Sequence, residues 1–490
     1  MNRRRPFSII FVLLFFGSIY ASISLVNHWF FRTAALDLGL YTNAAWKYAH
    51  FELPDRSLFL DNSDPLLADH FDLHLILWSP LIHLFGSWTL LIVQIAAVLL
   101  GGYGVYRYVH SFDKDQVQAT MAAAIGLGSF GVFSALSFDF HSSVIVAMAL
   151  PWYLLAVKEG RTHHSWMILI FMLIGKENIG LWLGIVAIAA IALPRKMSAK
   201  ALLAQSMASF GWSALVIGLI MPALDGSKTY AHFDYQVLGN TPGEALGSIL
   251  AHPSEAFRAL FEDVRGTHYL GTAIKLEFYF ILLASGGWAF FRGWPFILMA
   301  LPIIAQKMWH DDPAKWGLFG HYSIEFSMLL PLAVMAVVRT HEKRSTRLLV
   351  FSGALFLTLA CTLHTLEFPL EHKPNEHGYH DRSRFYQPRH YERNYDLTPL
   401  RETIRAIPDG AAVSAQTHLV PHLIDRSHLF QFPIINNSEY ILLAPNETFY
   451  PLSREDWESE VNRLRSDPGW STLVDDPAVI LFQRTDPVDQ

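Results

Sequence analysis

Residues 7–26 read FSIIFVLLFFGSIYASISLV, an apolar run about as long as one bilayer crossing. The basic start Met-Asn-Arg-Arg-Arg precedes this run, as in a signal peptide, but residues 30–33 (FFRT) are not a convincing small-residue cleavage site. We therefore expect the run to remain as a membrane anchor. With 52% hydrophobic and 16% charged residues among 490, the chain is typical of a polytopic membrane protein and too apolar for an ordinary soluble enzyme.

Further apolar runs follow the first, and together they predict a helical bundle of about eleven membrane spans. Because Lys and Arg are enriched in cytoplasmic loops, one threading places every basic connection inside, and it also places the N-terminus in the cytoplasm. The basic connections are 3–5, 107–114, 158–164, 194–200, 292 and 339–347. The candidate spans are 7–26, 88–107, 117–136, 142–157, 165–175, 179–193, 202–221, 273–291, 294–306, 322–338 and 347–365.

Residues 73–85, LHLILWSPLIHLF, decide this threading. The segment is about half as long as a span, so we expect it to form a juxtamembrane or re-entrant helix on the outer face. If the segment crossed the membrane, every later basic connection would lie outside. The long outer loops are then 27–87 and 222–272, and both are rich in Asp, His and aromatic residues.

The apolar runs end near residue 365, which divides the chain into a membrane module, 1–365, and a more ordinary globular part, 366–490. Residues 366–490 alternate strand-like and helix-like runs, which predicts a small α/β domain on the extracytoplasmic face. Cys361 is the only cysteine, so no intramolecular disulfide can form. The sequence contains no glycine-rich phosphate loop and nothing that indicates nucleic-acid binding.

Asp37 follows the first span by about ten residues and opens an amphipathic segment, AALDLGLYTNAAW, at positions 34–46. Two roles are open for it. The carboxylate can stabilise a helix N-terminus by offsetting the helix dipole. Alternatively, it can serve as a general base whose pKa is raised by the surrounding leucines.

His70, Asp72 and His74 lie together in the first outer loop. On a helix, the i and i+4 spacing of the two histidines would place both rings on one face, which is a spacing that metal ligands use. No third ligand and no catalytic Glu accompany them, so a divalent metal is only weakly supported and we expect no cofactor. Contact with a polar substrate and a plain interfacial position are the alternatives.

Other polar residues mark the outer ends of later spans. Asp139 and His141 end one span, and Lys176 and Glu177 separate two short ones. Charges at membrane depth are costly unless they are paired or hydrated, so these side chains should face a cavity or one another. Lys176 and Glu177 can form a local ion pair, or Lys176 can hold a lipid phosphate.

The connection 310–325 is the densest polar stretch after the first outer loop, and it includes His321 and Tyr322. It is either a solvated turn or a substrate-contacting segment beside the mouth of the bundle. Lys275, Lys307 and Lys315 are further candidates for binding a phosphate, and the sequence does not rank them against Lys176.

These motifs together resemble the bacterial membrane family known as domain of unknown function 2079. That family resembles, more distantly, the GT-C glycosyltransferases, which include protein O-mannosyltransferases and the aminoarabinose transferase of lipid A. The motifs that carry the resemblance are Asp37-Leu38-Gly39-Leu40-Tyr41 with Trp46, His70-Phe71 leading to Pro80, Gln94, Ser137-Phe138-Asp139-Phe140-His141, Gly175-Lys176-Glu177-Asn178, Gly320-His321-Tyr322, and residues 414–433 with Val420-Pro421-His422-Leu423, Arg426 and Phe432-Pro433.

The resemblance implies a GT-C-like enzyme of the bacterial inner membrane that moves a sugar from a polyprenyl-phosphate donor to an acceptor hydroxyl on the extracytoplasmic face. Asp37 matches the position of the family's catalytic base, and a cation such as Lys176, helped by His70 or His321, would stabilise the leaving phosphate. The substrate-binding residues would be His70, Asp72, His74, Asp139, His141, Lys176, Glu177, His321 and Tyr322.

Two departures limit this implication. Asp37 has no acidic neighbour before Glu52, whereas family members with paired acids have them adjacent or nearly so, and His70-Phe71 replaces the more usual His-Pro-Pro or Lys-Pro-Pro. A metal-binding acid pair and the acceptor specificity are therefore not carried over. A transporter or flippase and a non-catalytic membrane scaffold are the other candidate functions, although the sequence shows no inverted repeat and its charges cluster at the ends of spans.

Overall fold

The fold consists mainly of helices, with one small sheet near the C-terminus. The computed structural model describes residues 7–60, 62–226, 230, 232–371 and 378–485. The described residues form two compact units, which fall within Met1–Ile23, Gln94–Pro222 and Thr229–Arg384 for unit 1, and within Ser24–Val93, Ala223–Lys228 and Phe385–Gln490 for unit 2.

Each of the eleven apolar runs contains a helix in the described part of the chain. Five helical stretches there are long and apolar enough to cross a membrane, or six if the bent pair Gln116–Leu127 and Phe130–Ser137 is one span. The chain is therefore multi-pass, while the count of about eleven spans remains a prediction. The helices of the apolar runs are Phe7–Trp29, Thr89–Asp113, Gln116–Leu127, Phe130–Ser137, Ser142–Glu159, Thr162–Leu173, Ile179–Ala190, Ala199–Leu215, Gly271–Ala284, Trp294–Met308, Ile324–Val338 and Arg344–Glu367.

Shorter helices fill the connections. The predicted half-length segment 73–85 is a series of short helical pieces that continues through Gly86, with φ of +52°, into the long helix Thr89–Asp113, and His74–Asp113 is one apolar helical stretch of 40 residues. Its position relative to a membrane stays a prediction. The shorter α-helices are Leu40–Ala49, His74–Trp78, Ile82–Phe85, Met221–Leu224, Pro242–Ala251, Pro253–Ala259, Tyr379–Ser383, Thr398–Ala406 and Arg454–Ser466.

The bent pair of helices in unit 1 breaks at Gly128 and Ser129, where the two axes differ by 43°. A break of this kind leaves backbone carbonyls without helical partners, which is costly in an apolar environment. The Tyr20 hydroxyl donates to the carbonyl of Leu127 at 2.6 Å, and the Thr362 hydroxyl donates to that of Gly128 at 2.7 Å. Neighbouring helices thus stabilise the bend.

Several of the predicted cytoplasmic connections meet at one end of unit 1. The Lys158 ammonium donates to the carbonyl of Ser111 at 3.1 Å, and the Lys196 amide donates to the carbonyl of Lys158 at 3.1 Å. Arg347 pairs with Asp113 at 2.8 Å. Residues from four of the basic connections therefore share a single end, which is the grouping that the threading requires. Which side of the membrane this end faces remains a prediction.

The predicted C-terminal α/β fold is confirmed within unit 2. Its strands are β1 (Val413–Ala415), β2 (Leu429–Gln431), β3 (Tyr440–Leu443), β4 (Trp470–Asp476) and β5 (Val479–Arg484). The sheet order is β2-β1-β3-β5-β4, with β1 parallel to β2 and β3 and with β5 antiparallel to β3 and β4. Helix Arg454–Ser466 buries Trp457, Val461 and Leu464 against the sheet.

The first outer loop folds together with this sheet domain in unit 2. The Asn43 amide donates to the carbonyl of Ile424 at 2.8 Å, and the Gln431 backbone N–H at the end of β2 donates to the carbonyl of Leu58 at 2.7 Å. Arg32 donates to the carbonyl of His390 at 2.6 Å. These are contacts over more than 350 residues of chain, and no local sequence pattern indicates them.

Close helix packing in unit 1 yields a first prediction. A Cβ at Gly180 would lie 2.2 Å from the Ser209 carbonyl, so helices Ile179–Ala190 and Ala199–Leu215 must separate in a Gly180→Ala variant. We expect a loss of about 1–3 kcal/mol, seen as a lower melting temperature in detergent. Gly211→Ala is the matched control, because a Cβ there meets open space. Equal melting temperatures for the two variants would show that the helices are not packed this closely.

Candidate functional site

Asp37 lies on a turn of π-helix, Ala35–Gly39, that leads directly into helix Leu40–Ala49. The predicted helical segment is confirmed. Asp37 lies in its first, π-helical turn and is half-buried. Single π-turns occur often at functional sites. A Cβ at Gly39 would lie 2.8 Å from the Val420 side chain, so the sheet domain packs tightly against this turn. The π-helical turn and the close packing of Gly39 against Val420 together fix the position of Asp37.

The helical argument for a metal-ligand pair at His70 and His74 is wrong. The helix begins at His74, so His70 precedes it and the two rings do not share a helix face. The reason is the Asp72 carboxylate, which accepts from the His74 backbone N–H at 3.0 Å. Asp72 is buried. The burial of Tyr48 and the negative charge of Asp72 raise the pKa of the Tyr48 phenol to about 12. The His70 ring lies 6.3 Å from that of Tyr41.

Asp139 and His141 lie on a turn that one glutamine holds in place. Gln94 donates to the Asp139 carbonyl at 3.1 Å and accepts from the His141 backbone N–H at 2.9 Å. Arg382 donates to the Asp139 carboxylate at 3.0 Å and to the Ser137 carbonyl at 3.1 Å. Asp139 is 1% exposed, so this ion pair is almost fully buried.

The His141 ring stacks on the His321 ring with the centroids 3.5 Å apart and the planes 20° apart. Tyr322 follows, with its ring 4.2 Å from that of His321. The Phe138 ring lies 5.5 Å from that of His141 on the same turn. Three of the predicted substrate-binding residues, His141, His321 and Tyr322, thus form one aromatic group in unit 1.

Lys176 and Glu177 do not form the local ion pair that was one alternative. Lys176 is half-buried and makes no hydrogen bond or ion pair with any residue that the structure describes. Glu177 is buried, its backbone carbonyl accepts from Ser213 at 2.8 Å, and the Tyr230 hydroxyl lies 3.5 Å from its carboxylate. Burial and the Glu177 charge raise the pKa of Tyr230, which keeps that phenol protonated.

The structure ranks the four candidate lysines. The Lys275 ammonium donates to the carbonyls of Ala259 and Met308, both at 2.8 Å, and to that of Glu262 at 3.1 Å. The Lys307 ammonium donates to the carbonyls of Lys315 and Gly317. These two lysines are engaged in holding the backbone. Lys176 and Lys315 remain, and neither has a carboxylate within 4 Å in the described part of the chain.

Lys315 contacts His310 in the connection before helix Ile324–Val338. The His310 Nδ1 lies 2.9 Å from the Asp312 backbone nitrogen, and the His310 Nε2 lies 2.7 Å from the Lys315 nitrogen. Burial, followed by the charge of Lys315, lowers the pKa of His310 to about 4. Burial and the nearby positive charge of Lys176 lower the pKa of Lys315. The two lysines are therefore close enough to repel each other.

A family model described as "Predicted membrane protein (DUF2079)" matches residues 27–480. The chain belongs to this family. The resemblance inferred from the motifs is thereby confirmed. No protein of curated function matches the sequence.

Among solved structures, ArnT from Cupriavidus metallidurans bound to undecaprenyl phosphate is similar, with a TM-score of 0.48, 10% identity and coverage of 97% of each chain. ArnT from the same organism in the apo state has a TM-score of 0.46 at 11% identity, covering 95% of this chain and 97% of the other. At these values the likeness does not assign a function.

The predicted site residues of this DUF2079 member fall into two groups. Asp37, His70, Asp72 and His74 lie in unit 2, and Asp139, His141, Lys176, Glu177, His321 and Tyr322 lie in unit 1. Arg382 and Tyr230 were not predicted. Arg382 lies in the stretch assigned to the globular domain, and an arginine close after the last apolar run was the only signal that could have indicated it. Tyr230 had no distinguishing pattern.

The buried pair of Arg382 and Asp139 yields a second prediction. In Arg382→Ala the Asp139 carboxylate loses its guanidinium partner, and breaking a buried pair in this way costs about 3–5 kcal/mol. We expect a markedly lower melting temperature in detergent and partial recovery when Asp139→Asn is added. Arg454→Ala removes an exposed i,i+4 pair with Glu458 and should have little effect. If both arginine variants melt alike, the ion pair does not stabilise the fold.

Proposed function

We propose that the protein is an integral membrane glycosyltransferase that transfers a sugar from a polyprenyl-phosphate donor to an acceptor hydroxyl on the extracytoplasmic face of the bacterial inner membrane. The sequence resemblance supplies the reaction class and the donor class. The N-terminus is cytoplasmic in this proposal, and the sheet domain is extracytoplasmic. The local geometry of the lysines and of Asp37 supports the roles that the proposal gives them.

The observation that carries the proposal is a pair of lysines in unit 1 that form no ion pair with the described residues. Lys176 and Lys315 are half-buried and close enough to repel each other, and neither is paired with a carboxylate in the described residues. Each gains a favourable interaction when an anion binds between or beside them, on the order of 4 kcal/mol per charge pair at 4 Å before desolvation costs. A phosphate group matches this arrangement, because its oxygens accept several N–H donors at once.

Burial and the charge of Lys176 lower the pKa of Lys315. A phosphate bound beside Lys315 would favour its charged form and so strengthen it as a cationic donor. The stacked His321 ring and the Tyr322 hydroxyl provide further polar groups on the same connection.

In the proposed reaction, Asp37 accepts the proton of the acceptor hydroxyl while that oxygen attacks the anomeric carbon of the donor. The bond from this carbon to the phosphate oxygen breaks in the same displacement, so the configuration inverts. Lys176 and Lys315 stabilise the negative charge on the leaving phosphate. The displacement as written requires no metal. Asp37 lies on the π-helical turn Ala35–Gly39 in unit 2.

A third prediction separates these roles. Asp37→Asn should abolish proton acceptance, a loss of about 10²–10⁴-fold in rate, and should alter the cell-surface glycan profile to that of the deletion strain. It should still bind undecaprenyl phosphate, measured by native mass spectrometry. Lys176→Gln should weaken that binding at least tenfold, whereas Lys200→Gln, an exposed control, should not.

Two results would contradict the assignment. A wild-type glycan profile from normally inserted Asp37→Asn protein would reject Asp37 as the base. Unchanged lipid-phosphate binding by Lys176→Gln would reject the lysine pair as the phosphate site, whatever the glycan profile shows.

A further inference from the structure

Phe112 lies at the basic end of unit 1 with two cations against its ring. The Lys158 ammonium is 4.1 Å from the ring centroid, and the Arg339 guanidinium carbon is 4.2 Å from it. The three residues come from the ends of helices Thr89–Asp113, Ser142–Glu159 and Ile324–Val338. Cation–π attraction holds each positive group on the ring, so the two charges stay near each other.

Further cations surround this pair. Lys114 and Lys196 lie close enough to act electrostatically on Lys158, as Arg339 does, and all three interactions are repulsive. Lys114, Lys196 and Arg339 are exposed, and Lys158 is half-buried. We call these four cations around Phe112 the basic patch.

The carboxylates near the basic patch are engaged with other arginines. Glu159 pairs with Arg161 at 2.9 Å. Asp113 pairs with Arg347 at 2.8 Å and Asp115 pairs with Arg344 at 2.6 Å. In the described part of the chain, no carboxylate lies within 4 Å of any of the four patch cations. The charge of Glu159 acts favourably on Lys158, so the protein offsets part of the positive charge of the patch and a local excess remains.

We infer that the basic patch binds the phosphate group of an anionic membrane lipid. The patch stands at the ends of apolar helices, of which Ser142–Glu159 is long and apolar enough to span a bilayer. The lysines supply point charges and Arg339 supplies a fork of N–H donors, the combination that suits a phosphate diester. Phe112 offers an apolar surface beside the charges. The site is independent of the proposed transferase reaction, because it shares no residue with the lysine pair Lys176 and Lys315.

The experiment uses the full-length protein in nanodiscs. Lipid retention is measured by native mass spectrometry with phosphatidylglycerol and with phosphatidylcholine of the same chain length. The test variant is Lys158→Gln with Arg339→Gln, and the matched control is Arg454→Gln with Arg463→Gln, which removes the same charge from exposed sites on the sheet domain. Inorganic phosphate is added as a soluble competitor.

Wild type and the control should retain phosphatidylglycerol at least tenfold better than phosphatidylcholine, and the test variant should lose most of that preference. Retention is compared well below the melting temperature of each protein, because the substitutions also remove the two cation–π contacts with Phe112 and the hydrogen bond from Lys158 to Ser111. Three results would overturn the inference: equal retention of the two lipids by wild type, equal preference in the test and control variants, or displacement of the lipid by millimolar inorganic phosphate, which would indicate a soluble anion instead.

Discussion

The organisation of unit 1 depends on the cost of placing a charge inside an apolar helix. Helix Ser142–Glu159 follows His141 and ends with Lys158 and Glu159, and helix Ile324–Val338 follows His321 and is followed by Arg339. Because charged groups are expensive at membrane depth, they collect at the two ends of such helices. Histidines, carboxylates and the lysine pair lie at one end of unit 1, and the basic connections lie at the other end. The two proposed anion sites, one at each end, follow from this separation.

A second constraint holds the proposed base. Asp37 lies in unit 2 on a π-helical turn that packs against the sheet domain through Gly39 and Val420. Arg32 and Asn43, on either side of that turn, are anchored to backbone carbonyls of residues near the C-terminus. The first outer loop is thus shaped by a part of the chain that follows it by several hundred residues. A base that must meet a reacting hydroxyl at a fixed distance needs such support.

Much of the secondary structure could be predicted, because apolar length and strand alternation are local properties of the sequence. The helices at the eleven apolar runs lie where apolar length placed them, and strands and helices alternate in the C-terminal part as predicted. The site was less predictable. The Asp72 carboxylate accepts from the His74 backbone N–H, and the helix begins at His74. His70 therefore lies before the helix and does not share a helix face with His74.

Long-range contacts account for the other differences. Arg382 reaches Asp139 across more than 240 residues, and Lys275 and Lys307 are occupied by carbonyls from other segments. A sequence shows that these side chains are charged but not which groups they meet. Of the four lysines that the sequence offered, Lys176 and Lys315 remain phosphate candidates because the structure shows that Lys275 and Lys307 bind backbone carbonyls.

Two-sided cysteine labelling tests the separation of the two ends most directly. In a Cys361→Ser background, Asp312→Cys reports on the histidine-rich end and Ser198→Cys on the basic end, and both positions are exposed. The account predicts that a membrane-impermeant thiol reagent labels Asp312→Cys in cells with a permeabilised outer membrane, and labels Ser198→Cys only after the inner membrane is opened. Labelling of both cysteines from the same side would contradict it.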